Sequence, residues 1–334
     1  MDEVQLLKTA IKQYGLNPSS LIVDKVIQSN NWHGDLHFKI LVDNKYFSAR
    51  FIGEKRYESD IFIKLSDEVL TEQIRFCNYL LNSGIPFMKH MSTIHGESFS
   101  TICLEDKDWK FVLFEWIKGD HLTHCTETIA RTFGAFARKI HNISSKFDTS
   151  VFPQESHSKG HHEFYNLLCT HASSSRISPL TTDLLKSYLN KIEYHKDRAK
   201  STSHDFIIQS DLNPLNILWN QSEQIIGVVD FESITYTDRV EGLAWLVKWY
   251  SRTHGIGSHE MSPILAKSVL QGYGADEILI PRDFERLPSL LWLTGCLNWN
   301  FTAKTIELIK NKDDALLKEH LIKYLKRLNP KISS

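Results

Sequence analysis

The sequence predicts an α+β fold of two lobes, an N-terminal antiparallel sheet plus one helix and a mainly helical C-terminal lobe. Three observations carry this expectation. Segments 20–27, 36–42, 46–52, 98–104 and 109–114 are short and apolar, several of them alternating as half-buried strands do. From residue 126 onward, apolar positions recur mostly at helical spacing. Among those helices lie two apolar runs that each deliver an aspartate, Asp211 and Asp230. A length of 334 residues suits about two domains, expected at 1–115 and 116–334.

The elements follow in order. Val4, Leu7, Ile11 and Tyr14 share one helical face, and Gly15 stops that helix. The polar segment 29–35 links the first two strands, and Asp43-Asn44-Lys45 joins the second to the third as a hairpin turn. Residues 60–83 carry Leu65, Val69, Ile74, Phe76, Leu80 and Leu81 near helical spacing, and Gly84-Ile85-Pro86 ends them. Further helices are expected at 126–141, 163–170, 181–194, 240–250, 262–271, 289–310 and 315–328. Residues 144–159, rich in serine and without a helical period, read as a surface loop. The two lobes are expected to join near 115–119.

Charge and composition exclude some functions. Lys+Arg 39 against Asp+Glu 40 gives a net charge of −1, unlike the basic footprint of a nucleic-acid binder. No apolar run reaches the ~18 residues of a membrane span. The five cysteines are scattered and odd in number, as in a reducing compartment, so a soluble cytoplasmic chain is expected. His157, His161 and His162 sit in a polar stretch and are expected to face solvent. Oligomeric state is left open.

The most informative stretch is Ile207-Ile208-Gln209-Ser210-Asp211-Leu212-Asn213-Pro214-Leu215-Asn216, followed by Ile225 to Glu232. Asp211 and Asn216 stand at the spacing of the kinase catalytic loop, D-L-x-x-x-N, and Asp230-Phe231 begins like D-F-G. A strand-end carboxylate such as Asp211 can accept a hydroxyl proton. Asn216 and Asp230 offer the hard oxygen donors that Mg2+ prefers. Aspartate and asparagine are also ordinary turn and cap residues, so the loop spacing means little by itself. Upstream, residues 46–52 alternate, with Ser48 and Arg50 on one face, the pattern of V-A-I-K. Glu72 in the following helix is placed to orient Arg50 by an ion pair.

Taken in order over about residues 20–250, these pieces resemble the aminoglycoside phosphotransferase and choline kinase-like family, which has a protein-kinase-like fold. The resemblance includes Ser83-Gly84-Ile85-Pro86, Phe111 to Gly119 and Phe133 to His141. It implies a phosphotransferase that moves the γ-phosphoryl group of ATP, with GTP also open, onto a small-molecule hydroxyl. In that reading Asp211 is the base, and Asn216 and Asp230 hold Mg2+. Arg50 and Glu72 position the phosphates, while Glu115, Trp116 and Ile117 offer backbone groups to the nucleotide base. The chain departs from the family where His-Gly-Asp becomes Gln209-Ser210-Asp211, where Asn213 stands for a frequent His, and where Gly242-Leu243-Ala244 replaces Asp-Leu-Ala. Those departures support an alternative, a nucleotide-binding pseudokinase or partner-binding module.

Only about ten residues separate Asp230 from the apolar run at Val240, and no A-P-E follows, which disfavours a protein Ser/Thr kinase. An acceptor such as an amino alcohol or aminoglycoside is expected instead. Glu232, Asp238 and Glu241 are candidates to draw an amine, and Trp245 and Trp249 to wall the cleft. Tyr250, Trp292, Trp299 and Phe301 are further candidates for that wall, although for all six aromatics the helical spacing reads more readily as core packing.

Overall fold

The computed structural model describes residues 3–28, 34–53, 56, 65–104, 107–152, 157–173, 177–201, 206–209 and 211–327. Helix α1, Glu3–Lys12, buries Leu6, Leu7, Ala10 and Ile11, one face of its apolar period. A six-stranded antiparallel sheet follows, made of β1 Ile22–Gln28, β2 Leu36–Val42, β3 Lys45–Ile52, β4 His90–Met91, β5 Ser100–Leu104 and β6 Lys107–Glu115. Its order is β1-β2-β3-β6-β4, with β5 also paired to β6. The β2–β3 turn is two residues long, because Asp43 and Asn44 take φ of 48° and 61° and Lys45 already pairs with Val42. Positive φ at both turn positions matches the twist of the strands. Helix α2, Asp67–Asn82, is capped by Ser66 and packs beneath the sheet; the expected start at 60–64 lies outside the described residues.

The second part contains α3 Glu127–Ser144, α4 His157–Ser173 and α5 Pro179–Ala199, then the short strands β7 Phe206–Gln209, β8 Ile217–Trp219, β9 Ile225–Val228 and β10 Ile234–Thr237. After these come α6 Arg239–Tyr250, α7 Pro263–Tyr273, α8 Ala275–Ile278, α9 Pro281–Cys296, α10 Trp299–Lys310 and α11 Asp314–Leu325. Among the described residues no helix is long and apolar enough to cross a membrane.

The sheet itself separates two hydrophobic cores. One lies between its outer face and α1, around Leu7, Ile11, Phe38, Phe51 and Phe111. The other runs from the inner face (Ile52, Val112, Phe114) through α2 and on into the helices of the second part. The inner face of the sheet and the strands β7 to β9 therefore share one apolar body. Phe87, Met88 and Val228 stitch them together, with Met88 N–H donating to Val228 O at 2.9 Å and Val228 N–H to Pro86 O at 2.8 Å.

Several expectations are corrected. The strands that deliver the two aspartates do not pair with each other: β7 pairs with β10 and β8 with β9. β8 and β10 span Ile217–Trp219 and Ile234–Thr237, too few residues to show a period of their own. The expected helix 289–310 is two helices, parted at Leu297-Asn298, where the Asn298 side chain accepts from Phe301 N–H and caps α10. Upstream, α9 starts at Pro281, ahead of the expected 289, and runs through Pro288. Helix α4 begins at His157, so the expected loop ends sooner; 153–156 lie outside the described residues, as do 29–33 and 328. His161 is 3% exposed rather than solvated, His162 is exposed, and the His157 side chain is not described.

Candidate active site

The loop from Asp211 to Asn216 closes on itself. Leu212 is buried and anchors it, while Asn213 Nδ2 donates to Asp211 Oδ1 at 2.9 Å and Leu215 N–H donates to Asn213 Oδ1 at 2.8 Å. That second bond is an Asx turn, the local geometry asparagine favours before proline. Asn216 Nδ2 donates to the Asp211 carbonyl at 2.7 Å and lies 3.4 Å from Asp211 Oδ2. Both carboxylate oxygens thus face neutral donors that hold the side chain in place. Ser210 lies outside the described residues, and the Gln209 side chain is not described.

Asn216 also reaches the second aspartate's segment, because its carbonyl accepts Val229 N–H at 2.9 Å. Asp230 follows at once, with φ of 74°, a left-handed conformation that aspartate tolerates better than most residues. Its Oδ1 accepts Glu232 N–H at 3.3 Å, and Phe231 is buried against Phe114 with ring centres 5.2 Å apart. The structure therefore brings Asp211, Asn216 and Asp230 together, with Asn216 as the junction. With Nδ2 spent on Asp211, the Asn216 carboxamide has Oδ1 to offer. One carboxylate and one carboxamide oxygen suit Mg2+, which completes its shell with phosphate oxygens and water. No cluster of three His, Cys, Asp or Glu side chains that could hold a metal occurs among the described residues.

Arg50 lies on β3 with Ser48 on the face opposite Phe47, Ala49 and Phe51, as alternation requires. Its partners differ from the expected one. Arg50 Nη2 sits 2.9 Å from Asp35 Oδ2 and 2.9 Å from Glu232 Oε1, and Nη1 lies 3.8 Å from Asp230 Oδ1. Arg56 grips the same two carboxylates, Asp35 at 2.8 Å and Glu232 at 3.1 Å, and Gly53 N–H donates to Asp35 Oδ1 at 3.0 Å. Glu72 instead holds Arg75 on its own helix at 2.6 Å, and Arg75 also reaches the Asp148 carbonyl. The physical reason is register. β2 pairs Leu36 with Phe51, so Asp35 falls opposite Ile52, on Arg50's face and one step along. Burial opposes charge on Asp35, but Arg50 and Arg56 still hold its pKa below the usual carboxylate range. Glu232 goes the other way: burial raises it more than Arg50 lowers it. Arg50 Nε is buried with no acceptor among the described residues.

The linking segment lies along the β8–β9 hairpin. Glu115 N–H donates to Lys89 O at 2.8 Å and Trp116 N–H to Tyr46 O at 3.0 Å, whereas the Ile117 N–H has no partner among the described residues. Asp120 bridges Trp219, and Gly227 lets Ile117 lie close; a Cβ there would stand 3.0 Å from two Ile117 carbons. The Trp116 ring points outward, beside Lys39 at 5.1 Å.

The carboxylates expected to draw an amine have other partners. Asp238 caps α6 by accepting from Val240 and Glu241 N–H, and it pairs with Arg286 at 3.2 Å. Glu241 is 1% exposed and accepts from Thr237 Oγ1 at 3.1 Å. Glu232 belongs to the Arg50 network. Trp245 and Trp249 are half-buried, while Trp292 and Phe301 are core residues and Trp299 is 46% exposed. Sequence reasoning missed Asp35 and Arg56. No spacing links 35, 50, 56 and 232; only the strand register does.

The two-lobed fold is protein-kinase-like. The model of the phosphotransferase enzyme family matches residues 62–286, well over half of the chain, and the chain belongs to that family. No curated protein matches it in sequence. Among solved structures it is similar to amicoumacin kinase in complex with AMP-PNP, Ca2+ and Ami, at 14% identity and TM-score 0.67 over 98% of this chain and 95% of that one. It is also similar to a microcompartment-associated aminopropanol kinase, at 15% identity and TM-score 0.63 over 99% and 100%. An aminoglycoside phosphotransferase from Alicyclobacillus acidocaldarius gives 10% identity and TM-score 0.58 over 96% and 92%. At these identities the likeness is one of fold.

Proposed function

We propose that this chain transfers the γ-phosphoryl group of ATP or GTP, with Mg2+, to a hydroxyl of a small molecule. The single observation that supports it most is the Asn216 junction, which donates to Asp211 and accepts from the residue before Asp230. Bound Mg2+ would neutralise phosphate charge, and Asn216 Oδ1 and the Asp230 carboxylate are the groups to hold it. Asp211 takes the acceptor's proton, its carboxylate oriented by Asn213 and Asn216. Arg50 stands beside Asp230, its unpartnered Nε a donor for a phosphate oxygen, while Asp35 and Glu232 fix its other end. The Ile117 N–H and neighbouring carbonyls would read the base through backbone alone, which admits adenine and guanine.

The test is Asp211→Asn, assayed for ATP or GTP consumption across amino alcohols, aminoglycosides, sugars and hydroxy acids. Removing a general base should cut turnover by about 10²–10⁴-fold while Mg·ATP still raises the melting temperature. Full turnover in the variant would remove Asp211 from the role. Nucleotide binding with no turnover by the wild type would favour a pseudokinase.

A further inference from the structure

Two arginines and three carboxylates meet where the inner face of the sheet comes up to Asp230. Glu232 Oε1 lies 2.9 Å from Arg50 Nη2 and 3.1 Å from Arg56 Nη1. Asp35 Oδ2 takes the same two arginines, at 2.9 Å and 2.8 Å. Asp230 Oδ1 stands 3.8 Å from Arg50 Nη1. The groups are largely desolvated, with side-chain exposures of 12% for Arg50, 11% for Arg56, 0% for Asp35 and 15% for Glu232. Two guanidiniums therefore face three carboxylates, so negative charge is in excess.

The two carboxylates that bridge the arginines are not held alike. Asp35 is completely buried just before β2, and Gly53 N–H fixes its other oxygen at 3.0 Å. Glu232 lies in the turn between β9 and β10, flanked by the left-handed residues Asp230 and Ser233, with φ of 74° and 59°. Phe231, packed on Phe114, pins the backbone of that turn. The glutamate side chain has one more torsion than aspartate, so its carboxylate can swing away while the backbone stays. Asp35 is thus the permanent counter-ion and Glu232 the exchangeable one.

Glu232 Oε1 also marks a point within hydrogen-bond reach of two guanidiniums. A phosphate oxygen makes the same charge-assisted bonds to arginine as a carboxylate oxygen does. Arg50 Nε, buried without an acceptor among the described residues, is a further donor on the same side chain. A triphosphate arriving while Glu232 kept its place would set another anion against three carboxylates, and like charges at such distances repel. Exchange removes that conflict.

We propose that Arg56 is a second phosphate-binding residue beside Arg50, and that Glu232 competes with a nucleotide phosphate oxygen for the place between them. Asp35 alone then keeps both arginines in position. This assignment rests on the kinase reading above and adds a built-in competitor to it. The share of molecules with Glu232 between the arginines lowers the apparent nucleotide affinity by that fraction.

Titration calorimetry on the full-length protein with Mg2+ measures binding of ATP, GTP, inorganic tripolyphosphate, adenosine and guanosine. Glu232→Gln, which keeps the shape and removes the charge, should tighten the preferred nucleotide and tripolyphosphate by about tenfold. Its affinity for the matching nucleoside should not change. Misfolding cannot produce such a gain. Arg56→Gln should weaken the phosphate-bearing ligands by about tenfold or more, and Arg56→Lys, which keeps the charge, by less, again with the nucleoside unaffected. Weaker phosphate binding in Glu232→Gln, as a metal ligand or a structural anchor would give, overturns the proposal. So does Arg56→Gln that binds phosphates like the wild type, or that loses nucleoside and phosphate binding alike. In each of those cases Asp211-dependent turnover by the wild type leaves the kinase reading standing. The predicted affinities without turnover of any hydroxyl acceptor do the reverse, and a wild type that binds neither nucleotide nor tripolyphosphate overturns both.

Discussion

Asp35 is completely buried, with Arg50 and Arg56 on one oxygen and the Gly53 amide on the other. Breaking a buried ion pair by removing one partner costs about 3–5 kcal/mol, because the surviving charges lose their counter-ion. Asp35→Asn should therefore lower the unfolding free energy by about that much in urea titrations at neutral pH. Since the fold depresses the Asp35 pKa, the carboxylate's contribution is present above the usual carboxylate range and is lost as pH falls. The gap between variant and wild type should narrow on acidification; a gap that is absent, or that widens, contradicts the network. The same residue marks the limit of sequence reading. That Asp211, Asn216 and the residue before Asp230 lie together was legible because it depends on short local spacings. Asp35, Arg56 and the Arg75 partner of Glu72 were not, because each depends on register or on a competing neighbour one helical turn away.

At the scale of elements, α3 and α7 cross so closely that two glycines are required. A Cβ on Gly134 would collide with Val269 O and stand 2.8 Å from Tyr273 N, and one on Gly272 would collide with Arg131 O. These obstacles are backbone and cannot rotate away. Gly134→Ala should destabilise by about 2–3 kcal/mol through overpacking, whereas Gly160→Ala on α4, with nothing within 4 Å, should stabilise slightly through helix propensity. Equal denaturation midpoints for the two variants would refute the close crossing. Sequence reading placed α3 and α7 well, since their apolar periods are long. It ran α9 and α10 together because Asn298 caps a helix inside an otherwise apolar stretch, and it delayed α9 because Pro288 is tolerated within the helix.

Across the whole molecule, the sheet's inner face and strands β7 to β9 share one hydrophobic core, so Arg50 and Asp230 are held at a fixed separation by packing as well as by charge. Phe231, packed at a tilt against Phe114 and 5.5 Å from the Arg50 guanidinium, is the apolar pin between them. That arrangement leads to one question above others: do Asn216 and Asp230 serve a single divalent cation? The direct measurement is nucleotide affinity with Mg2+ and with EDTA for Asn216→Ala, Asp230→Ala and the double variant. Ligands of one ion act as a unit, so each single change should abolish most of the Mg2+-dependent gain and the double should lose little more. Magnesium dependence that persists in Asp230→Ala, or losses that simply add, would contradict a shared ion.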